Sequence, residues 1–87
     1  MSANPAKIAV LGAGSWGTAL AIHLARNGCQ VALWGHAPDE VKALQRDKEN
    51  RQYLPGVPLP DGLTASNHLA ECINDADEIL VVVPSHA

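Results

Sequence analysis

Three glycines stand close together as Gly12, Gly14 and Gly17. Before them, Lys7 to Leu11 is a short apolar run rich in β-branched residues, which reads as a buried strand. After them the period changes, and Gly17, Leu20, Ala21 and Leu24 share one helical face. Strand, Gly-x-Gly-x-x-Gly turn and helix, in that order, is the setting in which such a turn binds a dinucleotide. Gly12 permits the tight turn, Gly14 leaves room for a pyrophosphate at the backbone, and Gly17 lets the helix pack close on the strand. The helix start then offers unpaired N–H groups and the positive end of its dipole to the phosphates. The alternative is a glycine-rich turn that binds nothing. A P-loop is excluded, because no Gly-Lys-Ser/Thr follows at the required spacing.

A second place with chemistry is the end of the next apolar run, Gln30 to Trp34. A carboxylate usually stands there, roughly 20 residues past the glycines, and binds the adenosine ribose of NAD. Here that place falls at Gly35, followed by His36, and no Asp or Glu occurs until Asp39. Without a carboxylate there is no charge repulsion of the 2′-phosphate of NADP, so the pocket is expected to tolerate NADP as well as NAD. A carboxylate placed at Gly35 is expected to select against NADPH. His36 could donate a hydrogen bond to that phosphate or stack beside the adenine. Its alternative role is that of a solvated loop residue.

The elements that position these residues follow in order. A first helix is expected over Ser15 to Asn27, stopped by Gly28, with His23 at the border of its buried face. Pro38 opens a second helix, and Asp39 and Glu40 complement its dipole. Val41, Leu44 and the stem of Lys48 share its inner face. The charge run from Arg46 to Arg51 reads as a solvated face. From Tyr53 to Gly62 the prolines block helix and central strand, which predicts a rigid, extended loop with apolar anchors. Leu63 to Ala65 is a short strand. Ser66 or Asn67 can cap a third helix with Leu69, Ala70 and Ile73 facing inward. After a turn at Asn74 to Asp77, Glu78 to Val83 is a strand apolar on both faces, hence central and parallel. It ends at Pro84-Ser85-His86. The expected fold is α/β: a partial doubly wound Rossmann fold whose four parallel strands take the order 3-2-1-4.

Composition sets outer bounds. The chain has 87 residues and a formal net charge of −3, one small domain or part of one. An acidic balance without a basic run argues against nucleic acid as a partner. No apolar run has the length of a membrane span, and the first residues lack the pattern of a signal peptide, so a cytoplasmic protein is expected. Cys29 and Cys72 fit reduced, part-buried thiols, and their wide spacing argues against zinc. Phenylalanine is absent, so the core must be aliphatic.

The stretch Gly12-Ala13-Gly14-Ser15-Trp16-Gly17-Thr18-Ala19-Leu20-Ala21 resembles the start of the bacterial NAD(P)-dependent glycerol-3-phosphate dehydrogenases. So do Leu33-Trp34-Gly35-His36, the Asn50 to Gly56 segment and Val82-Val83-Pro84-Ser85-His86, which together cover nearly the whole chain in order. The resemblance implies reversible hydride transfer between NAD(P)H and dihydroxyacetone phosphate, giving sn-glycerol 3-phosphate for phospholipid synthesis. It also implies that Ser15, Trp16 and His36 contact the cofactor and that Pro84 and Ser85 lie near its nicotinamide half. The family's catalytic lysines and helical substrate domain have no counterpart in these residues. No catalytic residue is therefore assigned. Residues 1–87 are expected to be the N-terminal part of an NAD(P)-binding Rossmann domain, without dehydrogenase activity alone.

Two alternatives remain at this point. One is the same region of another dehydrogenase of similar architecture, such as a 6-phosphogluconate, ketopantoate or UDP-sugar dehydrogenase. The other is a non-catalytic nucleotide-sensing module. A chain that binds nothing is the bland third case. The last strand is expected to lack a partner on its outer edge, which predicts self-association of the isolated chain.

Overall fold

A computed structural model describes residues 5–82. The expectations for Val83, Pro84, Ser85 and His86 lie outside the described residues. Nine elements follow one another: β1 (Lys7–Leu11), α1 (Ser15–Arg26), β2 (Gln30–Trp34), α2 (Pro38–Asp47), β3 (Glu49–Asn50), β4 (Leu54–Pro58), β5 (Leu63–Ser66), α3 (Leu69–Ile73) and β6 (Glu78–Val81). The main sheet has the order β5-β2-β1-β6, with every neighbouring pair parallel. Counted among the strands of this sheet, that is the expected 3-2-1-4. The register sets Leu11 opposite both Trp34 and Val81, and Trp34 opposite Ser66, so the four carboxyl ends align along one rim.

Strand alternation builds the core. Ile8 and Val10, Val31 and Leu33, and Leu63 and Ala65 meet Ala21 and Ile22 of α1 and Val41 and Leu44 of α2. These buried side chains are aliphatic, as a chain without phenylalanine requires. α1 ends at Arg26, and Gly28 takes φ 93°, the left-handed conformation expected after its last turn. α2 begins with Pro38 in its first turn and carries Asp39 and Glu40 there.

Four local expectations change. The prolines between Tyr53 and Gly62 do not leave a plain loop: β4 pairs antiparallel with β3 in a separate two-stranded sheet. A two-stranded sheet is all edge, and an edge strand tolerates Pro55 and Pro58. The run Arg46 to Arg51 is not one solvated face. α2 stops at Asp47, Lys48 turns the chain with φ 57° and stays exposed, and Asn50 is buried. The third helix starts at Leu69 after His68, and no side chain caps it. Ser66 Oγ accepts the His68 N–H at 3.0 Å just before it, and the helix turns Cys72 inward while Leu69 and Ala70 are exposed. Finally, the central place read from the apolar faces of the last strand gives way to the edge place that the order 3-2-1-4 requires: among the described residues β6 lies at the sheet edge, with Ile79 48% and Val81 66% exposed.

Candidate cofactor-binding cleft

The turn after β1 is shaped by contacts that exclude side chains. Gly12 has φ 127°, and its N–H donates to the Trp34 carbonyl at 2.9 Å. A Cβ there would run into the carbonyl of Val82, where the chain leaves β6. A Cβ on Gly17 would run into the carbonyl of Gly12, with the carbonyl carbon only 2.8 Å away. The close approach expected between helix and strand at Gly17 is therefore an approach of α1 to the turn itself. Gly14 differs from both. Its conformation (φ −75°, ψ −167°) suits any residue, and a Cβ would meet nothing within 4 Å.

The first helical bond runs from Thr18 N–H to the Gly14 carbonyl at 2.9 Å. The N–H groups of Gly14, Ser15, Trp16 and Gly17 have no acceptor among the described residues. The first turn of α1 carries no acidic side chain to offset the dipole. The result is a helix mouth with several free donors and a positive field, suited to an anion.

A cleft of about 650 Å³ opens beside this mouth. It gathers Gly12, Gly14, Ser15, Trp16, Gly17 and His36, all the candidate residues that fall within the described part. Trp16 is 80% exposed and Tyr53, across the cleft, is 46% exposed, so two aromatic faces are open to a planar ligand. His36 is exposed, its ring tilted 46° to that of Trp34 at 6.4 Å. The rim position expected for a carboxylate is Gly35, and it is buried. A Cβ at Gly35 would press on Ala13 Cβ and Val41 Cγ2, each at 3.1 Å. An aspartate there would disturb packing as well as charge, so His36 is the position at which charge can be tested cleanly.

The far wall is α2 and the segment leading into β4. Arg46 Nε and Nη2 donate to the two carboxylate oxygens of Asp47 at 3.0 and 3.2 Å, with Arg51 3.8 Å away. The Arg46 guanidinium holds the Asp47 carboxyl below the usual carboxylate range, and the same pair raises Arg46. One residue of this wall escaped sequence reasoning. Asn50 is 5% exposed and donates to the Ala13 carbonyl at 3.0 Å and to Thr18 Oγ1 at 2.8 Å. No linear signal marks it, because its partners lie 37 and 32 residues away.

The opposite rim holds a shallower hollow of about 470 Å³ beside Lys7, Gln30, Asp61 and Cys72. Burial pushes the Cys72 thiol up, and both cysteines are free thiols. Among the described residues no group of three His, Cys, Asp or Glu side chains could hold a metal. Among the described residues no helix is long and apolar enough to cross a membrane.

Comparison with known proteins connects this chain to one family. Residues 7–87 match the family described as the NAD-dependent glycerol-3-phosphate dehydrogenase N-terminus. The glycerol-3-phosphate dehydrogenase [NAD(P)+] of Yersinia pestis is 55% identical over 86 residues, covering 99% of this chain and 25% of that protein. Its counterpart in Legionella pneumophila is 50% identical over 84 residues, 97% of this chain and 26% of the relative. The crystal structure of the Coxiella burnetii glycerol-3-phosphate dehydrogenase superposes with a TM-score of 0.88 at 47% identity, over 93% of this chain and 25% of that one. The Saccharomyces cerevisiae enzyme gives 0.79 at 30% identity, over 92% of this chain and 26% of that one. The chain thus spans about a quarter of the length of these relatives. By this match and by its fold, the chain belongs to the N-terminal domain family of the NAD-dependent glycerol-3-phosphate dehydrogenases.

Proposed function

We propose that this chain binds NAD(P)H as the N-terminal part of a cytoplasmic glycerol-3-phosphate dehydrogenase. In that protein, dihydroxyacetone phosphate and sn-glycerol 3-phosphate are interconverted, and the product serves phospholipid synthesis. The observation that carries the proposal is the mouth of α1: unpaired N–H groups from Gly14 to Gly17 beside an open cleft, in a chain of this family. The cofactor's pyrophosphate lies against Gly12, Gly14 and Ser15, with Gly14 leaving room for it. Trp16 offers an aromatic face. His36 stands where the adenosine 2′-phosphate of NADPH would sit, and no carboxylate between Gly35 and Pro38 opposes that charge. Pro84 and Ser85 are assigned to the nicotinamide half. The bound nicotinamide supplies the hydride. The acid that protonates the forming alkoxide, and the cations that hold the substrate phosphate, belong to the helical substrate domain outside these residues. No catalytic role falls to residues 1–87.

Self-association of the isolated chain is part of the proposal. β6 has no strand on its outer side among the described residues, and Ile79 and Val81 are exposed beside that edge. Two copies meet either by pairing their β6 edges, which satisfies the open backbone groups, or by packing the bare face on a neighbour, which covers Ile79 and Val81. Sedimentation at high micromolar concentration should show dimers or larger species, and a monomer throughout would contradict this part.

The cofactor assignment is tested by titrating the protein with NADPH and NADH and following nicotinamide fluorescence. Saturable binding is expected. His36→Ala should weaken NADPH by about tenfold, the loss of one charge-assisted hydrogen bond, and NADH by less. Equal weakening of both would remove the 2′-phosphate role from His36, and absence of binding to the whole protein would remove the assignment itself.

A further inference from the structure

Among the described residues Thr18 and Asn50 are the buried polar side chains, and they touch. Asn50 Nδ2 donates to the Ala13 carbonyl at 3.0 Å and to Thr18 Oγ1 at 2.8 Å. Asn50 Oδ1 accepts the Tyr53 N–H at 3.2 Å, and Thr18 Oγ1 donates to the same Ala13 carbonyl at 3.3 Å. Both hydrogens of the amide and its oxygen are used, so the side chain has one orientation that satisfies it. Polar groups buried this deeply hold their geometry firmly, since any other arrangement leaves a donor or acceptor unmet.

The consequence falls on the next peptide. All described peptide bonds are trans, so the Ala13 carbonyl and the Gly14 N–H point in opposite directions. Drawing the carbonyl inward onto Asn50 and Thr18 turns the Gly14 N–H the other way, and that N–H has no acceptor among the described residues while Gly14 lines the cleft. Gly14 on its own would not stay there, because glycine explores more backbone conformations than any other residue.

We infer that Asn50 is a positioning residue for the cofactor: it fixes the Ala13–Gly14 peptide so that the Gly14 N–H is presented to the pyrophosphate, and it ties that presentation to the β3–β4 hairpin. The role of the pyrophosphate rests on the cofactor assignment above. The fixing of the peptide does not.

The test uses Asn50→Ala and Asn50→Asp in the whole protein, with unfolding midpoints measured alongside. Aspartate keeps the acceptor for Tyr53 N–H and loses both donors, so it separates the hairpin contact from the hold on Ala13. Both variants should raise the NADPH dissociation constant by about tenfold, the loss of one hydrogen bond to a charged group. Both should also move the Gly14 amide resonance in the cofactor-free protein. Where Asn50→Ala proves too unstable to study, Thr18→Val removes the shared hydroxyl and should shift the same resonance with a smaller loss of affinity. Wild-type NADPH affinity in Asn50→Asp, or an unmoved Gly14 amide, would overturn the inference. If the wild-type protein binds no NADPH, the cofactor assignment fails while the Gly14 resonance still decides whether Asn50 sets the peptide.

Discussion

Residues Gly12 to Gly17 and the β3–β4 hairpin, whose residues Glu49 to Tyr53 line the cleft, meet there by different means. The first works by leaving side chains out: Gly12 closes on Val82 and Gly17 closes on Gly12, backbone against backbone. The second works through side chains. Asn50 reaches back to Ala13 and Thr18, and Glu49 Oε2 accepts the Gly56 N–H at 3.1 Å across the hairpin. Backbone contacts of the first kind tolerate no added atom, whereas the exposed hairpin bond of the second can be exchanged for water at little cost. Gly12 and Gly17 thus admit no side chain, the bond between Glu49 and Gly56 of the hairpin is exposed, and Asn50 is the buried joint between the two segments.

Substitution should separate the two. The largest effect is expected at Gly17→Ala, whose new methyl meets the Gly12 carbonyl and can be relieved only by moving α1 or the turn. A loss of about 3 kcal/mol or more in urea unfolding is predicted. Near-wild-type stability would show that the turn yields. Next comes Gly14→Val, whose added Cβ meets nothing within 4 Å and which should leave stability within about 1 kcal/mol while removing NADPH binding. If it unfolds the protein instead, Gly14 is structural like its neighbours. In the hairpin, Gly56 has φ 82° in open space, so Gly56→Ala should cost about 1 kcal/mol through backbone conformation alone and leave NADPH affinity unchanged.

The smallest effect is electrostatic. The Asp47 carboxyl is held below its ordinary range by Arg46, so its contribution is present above the unfolded-state carboxylate pKa and is lost as the pH falls through the lowered folded value. The pair is exposed at Arg46, and salt screens it. Asp47→Asn should therefore flatten the acid limb of the stability curve slightly at low salt and not at high salt. An undiminished difference at high salt would contradict a screened pair.

The parts that could be read in advance are those whose cause is local or periodic. β1, α1 and β2 follow from the apolar run, the glycine spacing and the switch to helical period, and their boundaries fall within a residue of expectation. The strand order follows from the alternation of strands and helices after the glycine turn, which is the pattern of a doubly wound fold. The remainder depended on tertiary satisfaction. Asn50 sits in a charge run and gives no local sign that it is the partner of Ala13 and Thr18. The β3–β4 pairing was hidden by Pro55 and Pro58, which argue against a central strand and say nothing against an edge. In α3, Cys72 faces inward in place of Leu69 and Ala70, a rotation that five residues are too few to reveal by period. At Gly35, the absence of a carboxylate was plain, but the contacts with Ala13 and Val41 that keep side chains out were not.

The central claim is that the N–H groups at the mouth of α1 hold the cofactor's pyrophosphate. It is tested most directly by following backbone amide resonances of the isotope-labelled protein during an NADPH titration. The account predicts saturable shifts, largest at Gly14, Ser15 and Trp16, with those of the opposite rim at Asp61 and Asp75 unmoved. Saturable binding that leaves the Gly14 to Trp16 amides in place would contradict it.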